Sequence, residues 1–171
     1  LGLSQTLGAQ QSRLVESVNN LKSQFDEMKK GQKLFLRKMS PHLIKEAIAN
    51  AIDLGDVKLY SMDELTLDEE LHTVVGERAI AIEPSLVYFG LFQKDDRVRI
   101  LVFVGKTAQS LGLRAGDIAR EASSLVGGGG GGDARFGQGG GSSPENIHSA
   151  KEKVLQIVKA ILRTHSSGTS N

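Results

Sequence analysis

The first thirty residues carry an apolar heptad in an otherwise polar sequence. Leucines and a methionine recur every seven positions, a second apolar position lies between them, and the polar Gln11 interrupts that second position. This spacing is typical of a coiled-coil seam. On an isolated helix the seam would expose large apolar side chains to water, so the pattern predicts a packing partner. The seam residues are Leu7, Leu14, Val18, Leu21, Phe25 and Met28.

A second helix is predicted after the heptad, because Ser40 can cap a helix and Pro41 suits its first position. With a break between the two helices near residues 38–40, residues 1–54 are predicted to form a helix-loop-helix, coiled-coil segment. The seam can pack against the second helix and the globular part, or it can join two copies of the chain. The length of the seam favours dimerisation, and Ile44 and Ile48 are predicted to extend the interface.

The remaining sequence alternates between strand-like and helix-like periods. Period-two or continuous apolar runs predict four strands, at DVKLYSM, AIAIEP, LVYFGLF and VRILVFVG. Period-3.6 patterns predict three helices, at DELTLDEELHTVVGER, RAGDIAREASSLV and SPENIHSAKEKVLQIVKAILRT. This order indicates an α+β fold, an α/β sandwich with helices covering a small mixed β-sheet. The globular domain is predicted to span residues 55–165, followed by a disordered tail at 166–171.

Ten of the fifteen residues from 127 to 141 are glycine. Composition alone favours a flexible tether. Ordering ten glycines costs roughly 5–10 kcal/mol more than ordering ten alanines, so a folded segment requires a reason for bare backbone. Close packing is one reason, and binding of an anion to backbone amides before a helix is another. The position of the segment between two amphipathic helices favours a structured surface.

Charge and composition limit the functional classes. The chain has no cysteine, which excludes disulfides and thiolate metal sites and fits a reducing cytoplasmic compartment. The net charge is +1, but the two ends are mildly basic and residues 54–105 are acidic. A polyanion is therefore expected to bind the terminal thirds of the sequence. No run is long and apolar enough for a membrane span, and the start at Leu1 suggests a fragment of a longer protein.

Motifs for catalysis are incomplete. VFVGKT resembles the end of a P-loop, but Ile100 occupies the position of its first glycine. The four histidines lack metal-ligand spacing, and the carboxylates Asp95 and Asp96 are predicted to lie in a solvated turn. No nucleophile elbow is present. The segment is therefore predicted not to be an enzyme in isolation, with no catalytic residue, metal or cofactor of its own.

The segment LRAGDIAREASSLVGGGGGGDARFGQGGGSSPENIHSAKEKV closely resembles the DHH-associated domain at the C-terminus of alanyl-tRNA synthetases. In that family a helix leads into a glycine cluster, a short stretch with an aromatic residue or methionine, a second glycine cluster and a final helix. The sequence GGGDARFGQ differs from the GGGRPDMAQ of many bacterial members and is more similar to the archaeal branch. The preceding heptad matches the helical segment that often precedes this domain.

The resemblance implies a tRNA-binding and dimerisation domain. It implies contact with the elbow of tRNA(Ala), and support for aminoacylation and editing by other domains of the same cytoplasmic chain, an alanine-tRNA ligase using ATP, Mg and Zn there. It places phosphate contacts, and stacking or anchoring by the aromatic residue, on and around the glycine segment. The residues expected to bind RNA are Lys106, Arg120, Gly130, Gly131, Gly132, Asp133, Arg135, Phe136, Gln138, Lys151 and Lys153.

Two alternatives remain open from the sequence. DHH-family phosphoesterases and exonucleases use a similar domain to hold nucleic acid while a separate domain hydrolyses it. A pure dimerisation module without RNA contact also fits the heptad. Affinity for a tRNA elbow, compared with unstructured single strands, distinguishes the first alternative.

Overall fold

The computed structural model describes residues 2–62, 69–94 and 96–168. The chain divides into two compact units, residues 1–39 and 40–171. The first unit is helical, and the second contains the β-sheet. None of the described helices is sufficiently long and apolar to cross a membrane.

The N-terminal region is a single helix, α1 (Gly2–Ala49), rather than the predicted helix-loop-helix. Pro41 lies inside α1 and removes one hydrogen bond from its interior. That loss is local, and burial of Ile44 and Ala47 holds the turns that follow. The predicted break near residues 38–40 is therefore wrong as a chain break, although the boundary between the two units falls there.

The second unit contains a six-stranded mixed sheet in the order β1-β2-β3-β4-β6-β5. The short β1 pairs antiparallel with β2, and β2 and β3 are parallel. The β3–β4 hairpin and the β4–β6–β5 strands are antiparallel. The strands are β1 (Ile52–Asp53), β2 (Lys58–Met62), β3 (Leu86–Lys94), β4 (Arg97–Val104), β5 (Gly129–Gly132) and β6 (Phe136–Gly141).

Helices cover both faces of the sheet, which confirms the predicted α+β class. The helix α2 (Glu69–Ile82) packs on β3 and β4. On the other face, α4 (Ala115–Leu125) packs on β4, β5 and β6, and α5 (Ile147–Gly168) packs on α4. A short α3 (Lys106–Ser110) follows β4. The core between the sheet and α4–α5 includes Val87, Phe89, Ile100, Val102, Ile118, Val154 and Val158.

Three local predictions differ from the structure. AIAIEP was predicted as a strand, but its first four residues complete α2, where Ala79 and Ile80 are buried on the helix face that packs against the sheet. Ser143 makes no capping hydrogen bond through its side chain, and a short 3₁₀ turn (Pro144–Asn146) separates it from α5. The predicted tail is helical as far as Gly168, and residues 169–171 lie outside the described part.

The glycine-rich segment folds as two paired strands. Gly129–Gly132 and Phe136–Gly141 form β5 and β6, with register Gly130↔Gly139 and Gly132↔Gly137. We call this pair and its turn, residues 129–141, the glycine ribbon. The ribbon extends the sheet beyond β4, so the prediction of a structured surface is confirmed and the tether is contradicted.

Candidate nucleic-acid interface

One face of the glycine ribbon is pressed against α4. A Cβ atom at Gly137 would overlap the carbonyl oxygen of Ala115, and one at Gly139 would overlap Ser123 Oγ. A Cβ at Gly130 would lie 2.8 Å from Ser123 Oγ. Ser123 is fully buried, and its hydroxyl has no hydrogen-bond partner among the described residues. These glycines are therefore required by packing, because any side chain would separate the ribbon from the helix.

The opposite face of the ribbon is open. A Cβ atom at Gly129 or Gly131 would meet no atom within 4 Å, and neither residue has a positive φ. Gln138, which pairs with Gly131, is exposed. Packing and backbone conformation therefore do not explain why these two positions are glycine. The open face presents bare backbone to whatever approaches it.

Two arginines that were not predicted from the sequence border one end of the open face. Arg99 pairs in register with Gly140, and Arg97 lies two residues earlier on the same side of β4. Both line a cleft of about 440 Å³ with the start of β5 and the end of β6. They were missed because they belong to the acidic middle of the sequence, and only strand pairing places them beside the ribbon.

A smaller cavity of about 200 Å³ lies at the other end of β6. Lys106 and Arg135 line it together with Gln109 and with apolar residues of α2 and β4. Neither cation has an ion-pair partner at salt-bridge distance among the described residues. The structure thus brings together two of the five cations predicted for RNA. Cations therefore lie at both ends of β6, which is about 17 Å long at 3.4 Å per residue.

The turn of the ribbon is held by Asp133. Its Oδ1 accepts hydrogen bonds from the backbone N–H groups of Arg135 (2.7 Å) and Phe136 (2.8 Å). These donors lower the pKa of Asp133, with Phe136 the larger cause. The Phe136 ring packs on the buried Phe103 at 5.0 Å between centroids. Phe136 is only partly buried, so it anchors the ribbon and still presents an edge to the surface.

The remaining predicted cations lie on the helical layer behind the ribbon. Arg120 of α4 binds Asp117 at 3.1 Å, and Lys153 of α5 lies 3.7 Å from Glu121. Lys151 also has an interaction partner. These residues belong to the helical layer on the other side of the sheet and do not lie on its open face. Among the predicted glycines, Gly130 faces α4, Gly131 faces outward, and Gly132 precedes the turn with φ +147°.

The histidines form no metal site among the described residues. His72 is fully buried, with Nδ1 2.9 Å from the hydroxyl of Tyr88, and its ring stacks on Phe92. Burial raises the pKa of Tyr88, so this phenol stays neutral. Gly90 leaves the space that the imidazole occupies. This buried cluster fastens α2 to β3.

The predicted seam on α1 is exposed along the part that the structure describes. Its five described side chains are 53–71% exposed, and Lys29 lies over the ring of Phe25. Leu7 lies outside the side chains that the structure describes. Ile44 is 5% exposed, so it is buried within the second unit and unavailable to another copy of the chain, and Ile48 is partly buried. The exposed residues are Leu14, Val18, Leu21, Phe25 and Met28.

A family model described as the DHHA1 domain matches residues 58–160, from the start of β2 to the last turns of α5. The chain belongs to the DHHA1 family. The match includes the whole glycine ribbon and excludes α1. The family resemblance predicted from the glycine segment is therefore confirmed.

Relatives and solved structures agree with this assignment. The chain is 29% identical over 143 residues to an alanine–tRNA ligase of Nitrosopumilus maritimus, covering 78% of this chain and 16% of the relative. It is 37% identical over 91 residues to that of Cenarchaeum symbiosum, covering 53% of this chain and 10% of the relative. The fold is similar to the C-Ala domain of Aquifex aeolicus alanyl-tRNA synthetase, with a TM-score of 0.55 and 24% identity over 66% of this chain and 97% of that one. The chain thus spans about a sixth or less of the ligases it matches.

Proposed function

We propose that this DHHA1 domain is the C-terminal tRNA-binding and dimerisation domain of a cytoplasmic alanine–tRNA ligase. The open face of the glycine ribbon contacts the tRNA elbow, and aminoacylation and editing are carried out by other domains of the parent chain. ATP, Mg and Zn belong to those domains. Similarity to alanine–tRNA ligases, and of the fold to a C-Ala domain, supports this assignment.

The observation that carries the RNA proposal is the pair of glycines, Gly129 and Gly131, that the fold does not require. Folded RNA is recognised largely through its phosphates and ribose hydroxyls, which both side chains and the protein backbone can contact. A surface of bare glycine lets the RNA approach the backbone closely. Cations border this bare surface at both ends, with Arg135 and Lys106 at one end and Arg99 at the other. The strand β5 is at the edge of the sheet, and a sheet edge with cations nearby suits a polyanion.

Substitution of Gly131 by Val tests the RNA contact. The fold has space for this side chain, so the midpoint of urea unfolding is expected to stay unchanged. The two added methyl groups would stand between the ribbon and the RNA, and affinity for a tRNA(Ala) transcript is expected to fall at least tenfold. Filter binding or fluorescence anisotropy at two salt concentrations measures this affinity and its salt dependence.

Arg120→Ala is the matched control, because this arginine is exposed and lies behind the sheet. Its tRNA affinity is expected to match the wild type if the open face is the binding surface. Equal losses for both variants would instead support the helical layer, and unchanged affinity in Gly131→Val would contradict an RNA contact on the ribbon. The structured elbow is expected to bind more tightly than an unstructured strand of equal length, and the reverse result would favour the phosphoesterase alternative.

The dimerisation proposal is carried by the exposed seam of α1. Five large apolar side chains at heptad spacing leave an unpaired stripe on a helix of 48 residues, and a second copy can cover it. Leu21→Glu is expected to convert a dimer to a monomer in sedimentation velocity, because a buried carboxylate at a seam position is costly. Asn20→Glu, beside the seam, is the charge-matched control. A monomeric wild type at micromolar concentration would contradict the proposal.

A further inference from the structure

The cleft at the start of β4 is a second candidate anion site. Arg97 and Arg99 line it on one side, and Gly128, Gly129 and Gly140 line it on the other. Arg97 has no carboxylate partner among the described residues, and its side chain is exposed. A planar guanidinium offers two parallel N–H groups that match two oxygens of a phosphate. The glycine wall permits an anion to reach the backbone without obstruction.

Glu69 forms an ion pair with Arg99, one of the two arginines that line this cleft. Its Oε1 lies 3.1 Å from Nη2 of Arg99, and both side chains are about 40% exposed. The guanidinium has five N–H donors, and this contact uses one nitrogen of the group. The carboxylate therefore leaves donors of Arg99 available, but its negative charge opposes a second anion at the same guanidinium.

We propose that this cleft binds a phosphodiester group of RNA, and that Glu69 competes with the phosphate for Arg99. The ligand class rests on the proposed RNA function of the ribbon. Competition by Glu69 keeps binding of a single phosphate weak, so that stable binding requires a polyanion that also reaches the cations beyond Gln138. The site thereby discriminates a polynucleotide from free nucleotides and inorganic phosphate.

The test uses the full 171-residue chain with ¹⁵N labelling and a five-nucleotide oligouridylate as the probe. Glycine amides form a separate region of the spectrum, and those of Gly128, Gly129 and Gly140 are expected to shift on titration. Arg99→Ala is expected to weaken binding about tenfold, the effect of losing a charge-assisted hydrogen bond, and to reduce the salt slope by about 0.7. Arg99→Lys keeps the charge but loses the planar guanidinium. Its affinity for oligouridylate is expected to lie between that of the wild type and that of Arg99→Ala.

Glu69→Gln is expected to tighten oligouridylate binding about two- to fivefold, in proportion to the strength of a partly exposed ion pair. Glu70→Gln is the control, because it makes the same charge change one residue further along α2 and is exposed. Equal gains in the two variants would show a general charge effect and would overturn the competition by Glu69.

Failure of this proposal is distinguishable from failure of the tRNA proposal. If tRNA binds and shifts Gly131 and Gln138 but not the glycines of the cleft, the cleft is not a phosphate site and the ribbon proposal stands. If oligouridylate shifts the cleft glycines while a tRNA transcript shows no measurable affinity, the cleft proposal stands and the tRNA proposal fails. Equal affinity of Arg99→Ala and wild type overturns the phosphate site.

Discussion

Both faces of the glycine ribbon are rich in glycine, but the physical requirement for glycine differs between them. On the face toward α4, Gly137 and Gly139 are glycine because the helix lies where their side chains would be. On the opposite face, Gly129 and Gly131 have free space. A low-complexity run thus contains packing positions and surface positions in alternation, because successive residues of a strand point to opposite sides. A glycine is therefore a candidate for function where packing and backbone conformation do not require it.

The largest expected effect comes from adding a side chain to the packed face. Gly137→Val would push against the Ala115 carbonyl and should cost about 3 kcal/mol or more, at the upper end of overpacking penalties. Gly131→Val, the same substitution on the open face, should change the free energy of unfolding by less than about 0.5 kcal/mol. Urea unfolding followed by circular dichroism measures both. Similar costs for the two variants would remove the distinction between the faces.

A smaller effect is expected at the aromatic anchor. Phe136→Ala should destabilise the chain by about 2 kcal/mol, roughly half the cost at a fully buried phenylalanine, because the ring is partly buried on Phe103. Phe136→Leu should recover most of that stability. If Phe136 serves mainly as an anchor, the leucine variant also recovers tRNA affinity. A stable leucine variant with affinity reduced about tenfold or more would instead indicate stacking on a base.

The smallest effect concerns the turn that joins the two strands. The folded-state pKa of Asp133 is lowered, so its contribution to stability is complete above the unfolded pKa of about 3.9 and is lost as pH falls through the lower folded value. The amide resonances of Arg135 and Phe136 should therefore titrate with a midpoint below that of an unstructured aspartate. Asp133→Asn should abolish this titration. A midpoint at or above the ordinary value would contradict the two hydrogen bonds.

The periodic patterns predicted most of the elements correctly. The β3–β4 hairpin was recognised from its apolar runs and the charged turn between them. The helices α4 and α5 were recognised from their apolar stripes. Each of these patterns lies within one segment of the sequence. Ala79–Ile82 was assigned to a strand because four small apolar residues fit either period. Ala79 is buried one helical turn after the buried Val75, whereas Ile82 is exposed, which is the pattern of a helix. The proline at 41 suggested a break that the helix does not make.

The residues that the sequence selected for RNA binding do not all lie on one surface of the fold. Of the cations selected from the sequence, Lys106 and Arg135 line one cavity at the end of β6. Arg120 and Lys153 lie on α4 and α5, in the helical layer on the other side of the sheet. Arg99 was missed because it lies about forty positions before its strand partner Gly140. The acidic sequence around Arg99 therefore did not indicate that its strand partner belongs to the glycine ribbon.

The sequence by itself determined the family, the layered α+β class and the heptad, because each depends on local periodicity or on an uninterrupted motif. Only the tertiary structure decided which glycines face α4 and which cations border the open face. Strand register brings Arg99 to Gly140 and turns alternate glycines to opposite sides. Register is a relation between distant segments, and a pattern confined to one segment does not contain it.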